Sequence, residues 1–143
     1  MINDEYYIKK TIELSKKAAK HGDFPVGALI VKDNKIIAKA YNTKEKNNNA
    51  INHAETLAIS KACKKLKTWH LDDCILYTSM EPCIMCLGAI IQSRIKKIVY
   101  STHNPSFGSI ENDLTKFKLN IEINKLEKEE YMNLIKEFFK DKR

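Results

Sequence analysis

Two short segments combine the usual ligands of a zinc ion with a carboxylate. His53 and Glu55 belong to the first segment, and Pro82, Cys83 and Cys86 belong to the second. Zinc binds imidazole nitrogen and thiolate sulfur well, and a catalytic site uses three protein ligands and leaves one position for water. Such an ion lowers the pKa of that water from about 16 to about 7, so hydroxide is available at neutral pH. The sequence therefore predicts that His53, Cys83 and Cys86 hold Zn²⁺ and that Glu55 moves protons.

The spacing of these residues predicts that both segments open helices. Cys83 and Cys86 are three positions apart, which suits one helical turn. Pro82 precedes them, and its fixed φ and missing N–H suit a helix start. The N-terminus of a helix also favours thiolate over thiol. His53 stands before an apolar pattern of helical period over residues 54–65. We therefore expect the metal to lie between two helix N-termini.

A C-x-x-C pair has other uses, which the remaining cysteines test. The same motif forms redox pairs or one half of a structural zinc site. A structural site usually needs a fourth Cys or His ligand, but Cys63 and Cys74 lack the C-x-x-C spacing. Cys63 lies in a helical pattern and Cys74 opens a strand-like pattern, so we expect both to be small buried residues. The two motifs in this order favour the catalytic interpretation.

The elements that must position these motifs alternate between helical and strand patterns. Helical patterns cover residues 5–20, 54–65, 82–93 and 126–142, with a short candidate at 114–117, and strand patterns cover 25–32, 35–41, 74–78, 97–101 and 119–123. Asp4 is the candidate N-cap of the first helix. Strands that alternate with helices favour a mixed central sheet with helices on both faces, a three-layer α/β/α sandwich. Since no linker or repeat divides the pattern, we expect residues 1–143 to form a single domain.

Length, composition and charge bound the class of protein. The 143 residues suit one domain with one core, and 43% hydrophobic with 30% charged residues is ordinary for a globular protein. No apolar run reaches membrane-spanning length, and the N-terminus does not read as a signal peptide. Four cysteines, two of them in the metal motif, favour a reducing cytoplasm. The formal charge of +7 indicates either an anionic partner such as nucleic acid or the lysine-rich composition of an AT-rich genome.

Further segments complete the pattern of a known enzyme family. They are FPVGA (24–28), YN (41–42), HAE (53–55), TW (68–69), the stretch 78–83, Cys86, GA (88–89), SRI (93–95) and FF (138–139). H-x-E followed by P-C-x-x-C is the signature of zinc-dependent nucleobase deaminases. The chain resembles the cytidine deaminase superfamily and, within it, the bacterial tRNA-specific adenosine deaminases, which make inosine at the wobble position of a tRNA anticodon. The resemblance runs from about residue 5 to residue 108 and resumes in the last helix.

The resemblance implies one Zn²⁺ per subunit on the predicted ligands, with Glu55 as general acid and base. It also implies substrate contacts. Asn42 matches an asparagine that hydrogen-bonds the target nucleotide, and Pro25 and Val26 match a segment that lines the base pocket. Phe139 belongs to a C-terminal pair of which one aromatic lies near flipped-out anticodon bases. Taken without the resemblance, Asn42 also suits a strand-end turn, and Pro25 and Val26 suit the start and packing of a strand. Phe139 suits the core face of a helix. A homodimer with RNA crossing both subunits is implied as well.

One position departs from the family pattern in a way that bears on the substrate. Asn104 stands where the family has an Asp that accepts a hydrogen bond from a ribose 2′-OH. An amide oxygen still accepts, but it lacks the charge that strengthens such a bond. Because this contact is one way of telling RNA from DNA, single-stranded DNA or a changed RNA substrate becomes a hypothesis. The stretch 109–122 is also shorter than is usual in the family.

Three functions follow from these observations. The first is conversion of adenosine to inosine at the wobble position of a tRNA anticodon stem-loop, in the cytoplasm. The second is deamination of a free base or nucleoside, such as guanine, cytosine or cytidine, since the metal chemistry would be unchanged. The third is a non-catalytic, zinc-stabilised RNA-binding module. Glu55 argues against the third, because a structural site needs no proton carrier.

Overall fold

A computed structural model describes residues 3–110 and 120–141. The elements formed by these residues are, in chain order, α1 (Asp4–Lys20), β1 (Gly27–Lys32), β2 (Lys35–Tyr41), α2 (Ala54–Leu66), β3 (Ile75–Met80), α3 (Ile84–Gln92), β4 (Lys97–Thr102), β5 (Glu122–Lys125) and α4 (Glu129–Asp141). No helix in these two stretches is both long enough and apolar enough to cross a membrane.

The strands form one mixed sheet in the order β2-β1-β3-β4-β5. β1 is antiparallel to β2 and to β3, whereas β3, β4 and β5 run parallel. Parallel neighbours need a crossover, and α3 supplies it between β3 and β4. α1 and α4 contact each other, and α2 and α3 contact each other, so the sheet lies between two helical layers. The predicted α/β/α sandwich with a mixed sheet is therefore confirmed.

Short-range signals explain where several elements begin. The hairpin between β1 and β2 turns at Asp33 and Asn34, whose φ angles of 51° and 60° lie in the left-handed region that these residue types tolerate. The N-cap of α1 is Asn3, whose side chain accepts a hydrogen bond of 3.2 Å from the backbone N–H of Tyr6. The prediction of Asp4 as the cap was wrong. Asn caps as well as Asp does, and the Asp4 carboxylate instead accepts a hydrogen bond of 2.6 Å from the Tyr77 hydroxyl.

The C-terminal elements are shifted along the chain from their predicted positions. The strand expected at 119–123 is observed at Glu122–Lys125, and the helix expected at 126–142 begins only at Glu129. Leu126 still donates a backbone hydrogen bond of 2.8 Å to Tyr100 of β4, and the backbone N–H of Lys128 bonds Ser101 Oγ at 3.1 Å. These two hydrogen bonds to β4 therefore hold residues 126–128 outside the helix. The short helix considered at 114–117 lies outside the described residues.

Close packing fixes α1 and α4 against the start of β1. A Cβ on Gly27 would collide with the backbone oxygen of Thr11 and lie 2.6 Å from Leu14 Cβ, so α1 approaches β1 at a distance that only glycine permits. On α4, the fully buried Tyr131 donates a hydrogen bond of 2.6 Å to the carbonyl oxygen of Pro25. Both contacts fix the segment that leads into β1.

Candidate active site

His53 and Cys83 occupy equivalent places at the starts of two neighbouring helices. His53 is the N-cap of α2 and Cys83 is the N-cap of α3, both with extended backbone. Neither side chain bonds the helix it precedes, so the imidazole and the thiol are available for other contacts. Cys86 follows in the first turn of α3 and is buried. The predicted arrangement of these residues at two helix N-termini is what the structure has.

The three predicted metal ligands lie close enough to share one ion. His53 Nδ1 is 3.6 Å from Cys83 Sγ and 3.5 Å from Cys86 Sγ, and the three donor atoms lie within 4.8 Å of one another. Zn–N bonds of about 2.0–2.1 Å and Zn–S bonds of about 2.3 Å at a tetrahedral angle separate nitrogen and sulfur by about 3.5–3.6 Å. The donor set therefore fits tetrahedral zinc.

The two thiols influence each other's ionisation. The pKa of Cys83 falls to about 4, chiefly because the Cys86 thiol donates a hydrogen bond to the Cys83 thiolate, with a further contribution from His53. The same hydrogen bond, together with burial, raises the pKa of Cys86. Two neighbouring thiolates repel each other unless a cation lies beside them, which is the situation that a bound metal ion creates.

The other two cysteines are separate from this group. Cys74 is buried as expected, whereas Cys63 is only partly buried, and neither is disulfide-bonded. Among the residues that the structure describes, the group that could hold a metal consists of His53, Cys83 and Cys86. A three-ligand set matches a catalytic site, which leaves one position open, better than a structural site with four protein ligands.

The predicted proton carrier Glu55 lies beside the three predicted metal ligands. It occupies the first turn of α2, is only 4% exposed, and lines the same cleft as His53 and Cys83. Burial is the main cause that raises the pKa of its carboxyl to about 7. A carboxyl that gains and loses a proton near neutral pH is suited to general acid–base chemistry.

The cleft above these residues has a volume of about 1220 Å³. Its walls come from residues within 22–26, 42–55, 80–85, 102–107 and 127–139. Four of the predicted substrate contacts line it, namely Val26, Asn42, Asn104 and Phe139. Pro25 is not among the lining residues. It is buried, and its carbonyl accepts the hydrogen bond from Tyr131.

A family model that describes the MafB19-like deaminases matches residues 2–143 of the chain. The chain belongs to the MafB19-like deaminase family. This confirms the deaminase relationship predicted from the motifs and identifies the chain as an enzyme of the hydrolytic deaminase class.

The relatives of this deaminase include tRNA-specific adenosine deaminases and a guanine deaminase. The chain is 41% identical over 141 residues to a tRNA-specific adenosine deaminase of Aquifex aeolicus, covering 95% of this chain and 93% of that one. It is 46% identical over 104 residues to a guanine deaminase of Bacillus subtilis, covering 72% of this chain and 67% of that one. A solved structure from a study of A-to-I editing by tRNA:A34 deaminases superposes with a TM-score of 0.79 at 27% identity, covering 85% of this chain and 97% of that one.

Asn42 holds a structural position at the edge of the deaminase cleft. Its Oδ1 atom accepts a hydrogen bond of 2.7 Å from the backbone N–H of Ala54, and its Nδ2 donates one of 3.1 Å to the carbonyl of Phe24. The residue is 9% exposed. One amide hydrogen and one lone pair of the side chain remain beyond these two bonds, so contact with a substrate is compatible with the observed role.

Two buried carboxylates that sequence reasoning missed fix loops at the cleft. Asp23 accepts backbone hydrogen bonds of 2.7 Å from Glu45 and 3.1 Å from Lys46, in the loop before His53. Glu81 does the same for the loop after β4. The sequence did contain a signal for Glu81, since this acidic residue directly precedes the Pro82 of the metal motif. A carboxylate that is buried at such a place must be satisfied by hydrogen bonds.

Proposed function

We propose that this deaminase converts adenosine to inosine at the wobble position of a tRNA anticodon, with Zn²⁺ held by His53, Cys83 and Cys86. The observation that carries the chemistry is the buried Glu55 carboxyl beside that donor group. The substrate follows from the 41% identity to a tRNA-specific adenosine deaminase over nearly the whole of both chains. The cleft volume of about 1220 Å³ exceeds the roughly 300–1000 Å³ of ordinary small-molecule pockets, which favours a substrate larger than a free base.

The reaction adds water to adenosine and releases ammonia. A bond forms between C6 of the purine and the water oxygen, and the bond between C6 and the exocyclic nitrogen breaks. Zinc, when bound, supplies a water that ionises near neutral pH. Glu55 takes one proton from the attacking water and delivers it to the ring nitrogen N1. It then takes the remaining proton of the added hydroxyl group and passes it to the exocyclic amine, which leaves as ammonia while the C6 carbonyl forms. Burial raises the pKa of the Glu55 carboxyl, which favours a group that both accepts and returns a proton.

The remaining predicted residues are assigned to substrate binding. Asn42 lines the cleft, and its unused amide hydrogen is proposed to bond the target nucleotide. Val26 packs against the base, with Pro25 buried behind it, and Phe139, which is 50% exposed, contacts unpaired anticodon bases. Asn104 is proposed to contact a ribose 2′-OH. Because its Oδ1 atom already accepts hydrogen bonds from the backbone N–H groups of Ser106 and Phe107, its Nδ2 group is the one left to bond the hydroxyl, and such a weak contact extends the substrate range to single-stranded DNA.

The assembly and setting are proposed on the same basis. The enzyme is proposed to act in the cytoplasm as a homodimer whose two subunits share the RNA, as the family resemblance implies. The formal charge of +7 supports an anionic partner. No membrane association is proposed.

Guanine deamination is the second candidate. The 46% identity to a guanine deaminase favours it, although over a smaller part of the chain. The zinc ligands and Glu55 would serve both reactions, so the metal group does not discriminate between them. The cleft walls beyond the base pocket can discriminate between the two substrates, because a free base has no ribose, phosphate or neighbouring nucleotide to contact there.

The deciding experiment uses the zinc-loaded protein and an anticodon stem-loop RNA with adenosine at the wobble position, with inosine detected by mass spectrometry. Guanine, cytosine, cytidine and the matching DNA stem-loop run in parallel. Inosine at that single position supports the proposal. Turnover of a free base with no reaction of the RNA would replace it with nucleobase deamination.

A further inference from the structure

A buried carboxylate organises the loop that follows β4 at the mouth of the cleft. The Glu81 side chain is inaccessible to solvent, and its Oε1 atom accepts a hydrogen bond of 3.0 Å from the backbone N–H of Asn104. Its Oε2 atom accepts one of 2.9 Å from the backbone N–H of Ile110, and His103 Nδ1 contacts Oε1. One side chain thereby fixes both ends of residues 103–110.

A second set of contacts fixes the tip of that loop. Asn104 Oδ1 accepts hydrogen bonds of 3.2 Å from the backbone N–H of Ser106 and 3.0 Å from that of Phe107. Gly108 forms a β-bridge with the proposed zinc ligand Cys83. A Cβ at Gly108 would collide with the carboxylate of Glu81, so the loop closes around that side chain as tightly as glycine allows.

This well-anchored loop presents an aromatic ring to solvent. Phe107 is 74% exposed, more than any other large hydrophobic side chain in the described part of the chain, and it lines the cleft. Exposing a phenylalanine forgoes the stability that its burial would give. The hydrogen bond from its backbone N–H to Asn104 Oδ1 holds it in this place, and the next residue, Gly108, is paired with Cys83. The geometry therefore suits a ligand-binding ring better than a misplaced core residue.

Another part of the cleft wall also carries aromatic rings. Phe24, Phe138 and Phe139 form a cluster with ring centroids 5.5–5.7 Å apart, and all three line the cleft.

The exposed charged side chains that line the cleft include both positive and negative groups. Lys44 and Lys136 are accompanied there by Glu45 and Glu127. Aromatic faces, rather than a cationic track, are therefore the main contacts that the cleft offers to unpaired nucleobases.

We propose that Phe107 is a stacking platform for the unpaired nucleobase adjacent to the target base in a single-stranded segment of RNA. Glu81 and Asn104 act as positioning residues, since they fix the loop that carries the ring. The inference rests on the proposed RNA substrate, because a free base has no neighbouring nucleotide. A phenyl face lacks hydrogen-bonding groups, so the contact accepts any base at that position.

The test measures deamination of the anticodon stem-loop by zinc-loaded wild type, Phe107→Ala, Phe107→Tyr and Tyr6→Ala. Tyr6 is a matched control, because it is an exposed aromatic on α1 that does not line the cleft. We expect Phe107→Ala to lower kcat/KM by about 5- to 150-fold, the range of a lost base–aromatic stack, mainly through KM. Phe107→Tyr should retain most of the activity, and Tyr6→Ala should match wild type.

Abasic substrates make the test specific. Stem-loops that lack the base on the 5′ or the 3′ side of the target are compared in wild type and in Phe107→Ala, as a double-mutant cycle. We expect one of the two abasic sites to slow wild type strongly and to add little to the effect of Phe107→Ala. Equal penalties in both proteins at both positions, or unchanged kcat/KM in Phe107→Ala, would overturn the stacking role while leaving the proposed function intact. A wild type that makes no inosine from the intact stem-loop overturns the proposed function, and the stacking role with it.

Discussion

The Oδ1 atom of Asn42 accepts a hydrogen bond of 2.7 Å from the backbone N–H of Ala54, the residue between His53 and Glu55. This N–H belongs to the first turn of α2 and has no partner within the helix. Asn42 therefore supplies a hydrogen-bond acceptor at the start of the helix that carries both a proposed zinc ligand and the proposed proton carrier. A residue assigned to the substrate by family resemblance thus also has a structural role that its position at the end of β2 explains.

Replacing Asn42 should reduce stability as well as activity. Asn42→Ala leaves the N–H of Ala54 and the carbonyl of Phe24 without their partner, and we expect the free energy of unfolding to fall by about 2–3 kcal/mol. Urea denaturation measures the change, with the exposed Asn47→Ala as control. Asn42→Asp keeps the acceptor oxygen and loses the N–H donor, so its free energy of unfolding should lie between those of wild type and Asn42→Ala. An Asn42→Ala protein as stable as wild type would contradict this role.

Removing the Glu55 carboxyl should separate chemistry from metal binding. We expect Glu55→Ala to keep its zinc content and its fold while its turnover falls by at least about 10²-fold, since general acid–base groups contribute about 10²–10⁴. Zinc analysis, circular dichroism and single-turnover deamination report the three properties. Glu13→Ala changes an exposed glutamate on α1 and should react like wild type. Unchanged turnover in Glu55→Ala would exclude the proposed mechanism.

Metal removal should affect stability because the proposed ligands join the starts of α2 and α3. A chelator should abolish deamination and lower the unfolding midpoint, and added Zn²⁺, but not Mg²⁺, should restore both. With free zinc at a hundred times Kd, the stabilisation by binding is about 2.7 kcal/mol. Differential scanning calorimetry before and after chelation tests this. A midpoint that does not move with zinc would mean that the ion contributes nothing to the fold.

Asn104 offers a test of nucleic-acid selectivity. Asn104→Asp preserves an oxygen for the hydrogen bonds to the backbone N–H groups of Ser106 and Phe107, so the loop should persist. The second carboxylate oxygen is then free to accept a charge-assisted hydrogen bond from a ribose hydroxyl. We expect a gain of about 1 kcal/mol, which is about fivefold in kcat/KM for RNA over the matching DNA stem-loop. The ratio of the two kcat/KM values is the measurement. If the substitution leaves that ratio unchanged, the side chain does not read the sugar.

The parts of the site that sequence reasoning predicted are those that local spacing encodes. Cys83 and Cys86 share a helical turn and His53 precedes an amphipathic pattern, so their place at two helix starts follows from neighbours in the chain. The missed residues act across long separations. Tyr131 bonds Pro25 from 106 residues away, and Glu81 anchors a loop 23–29 residues further on.

Competition between neighbouring signals explains the other differences. Asn3 and Asp4 are both good caps, and only the tertiary contact of Asp4 with Tyr77 decides between them. The residues from 126 onward do have a helical period, but the backbone hydrogen bond from Leu126 to Tyr100 holds the chain at the edge of β4 before α4 begins. Such choices depend on the distance between elements, which a periodic pattern does not contain.

The parallel pairing of β4 and β5 has a consequence for protein engineering. The chain leaves β4 at Thr102 and must travel back along the sheet before β5 begins at Glu122, because the paired residues start together at Lys97 and Glu122. The length of this return path does not enter the strand register, and loop length costs little free energy. A change in the length of this path therefore leaves the strand register unchanged. A change within residues 103–110 reaches further, because Gly108 forms a β-bridge with the proposed zinc ligand Cys83, so engineering of substrate scope has to preserve that bridge.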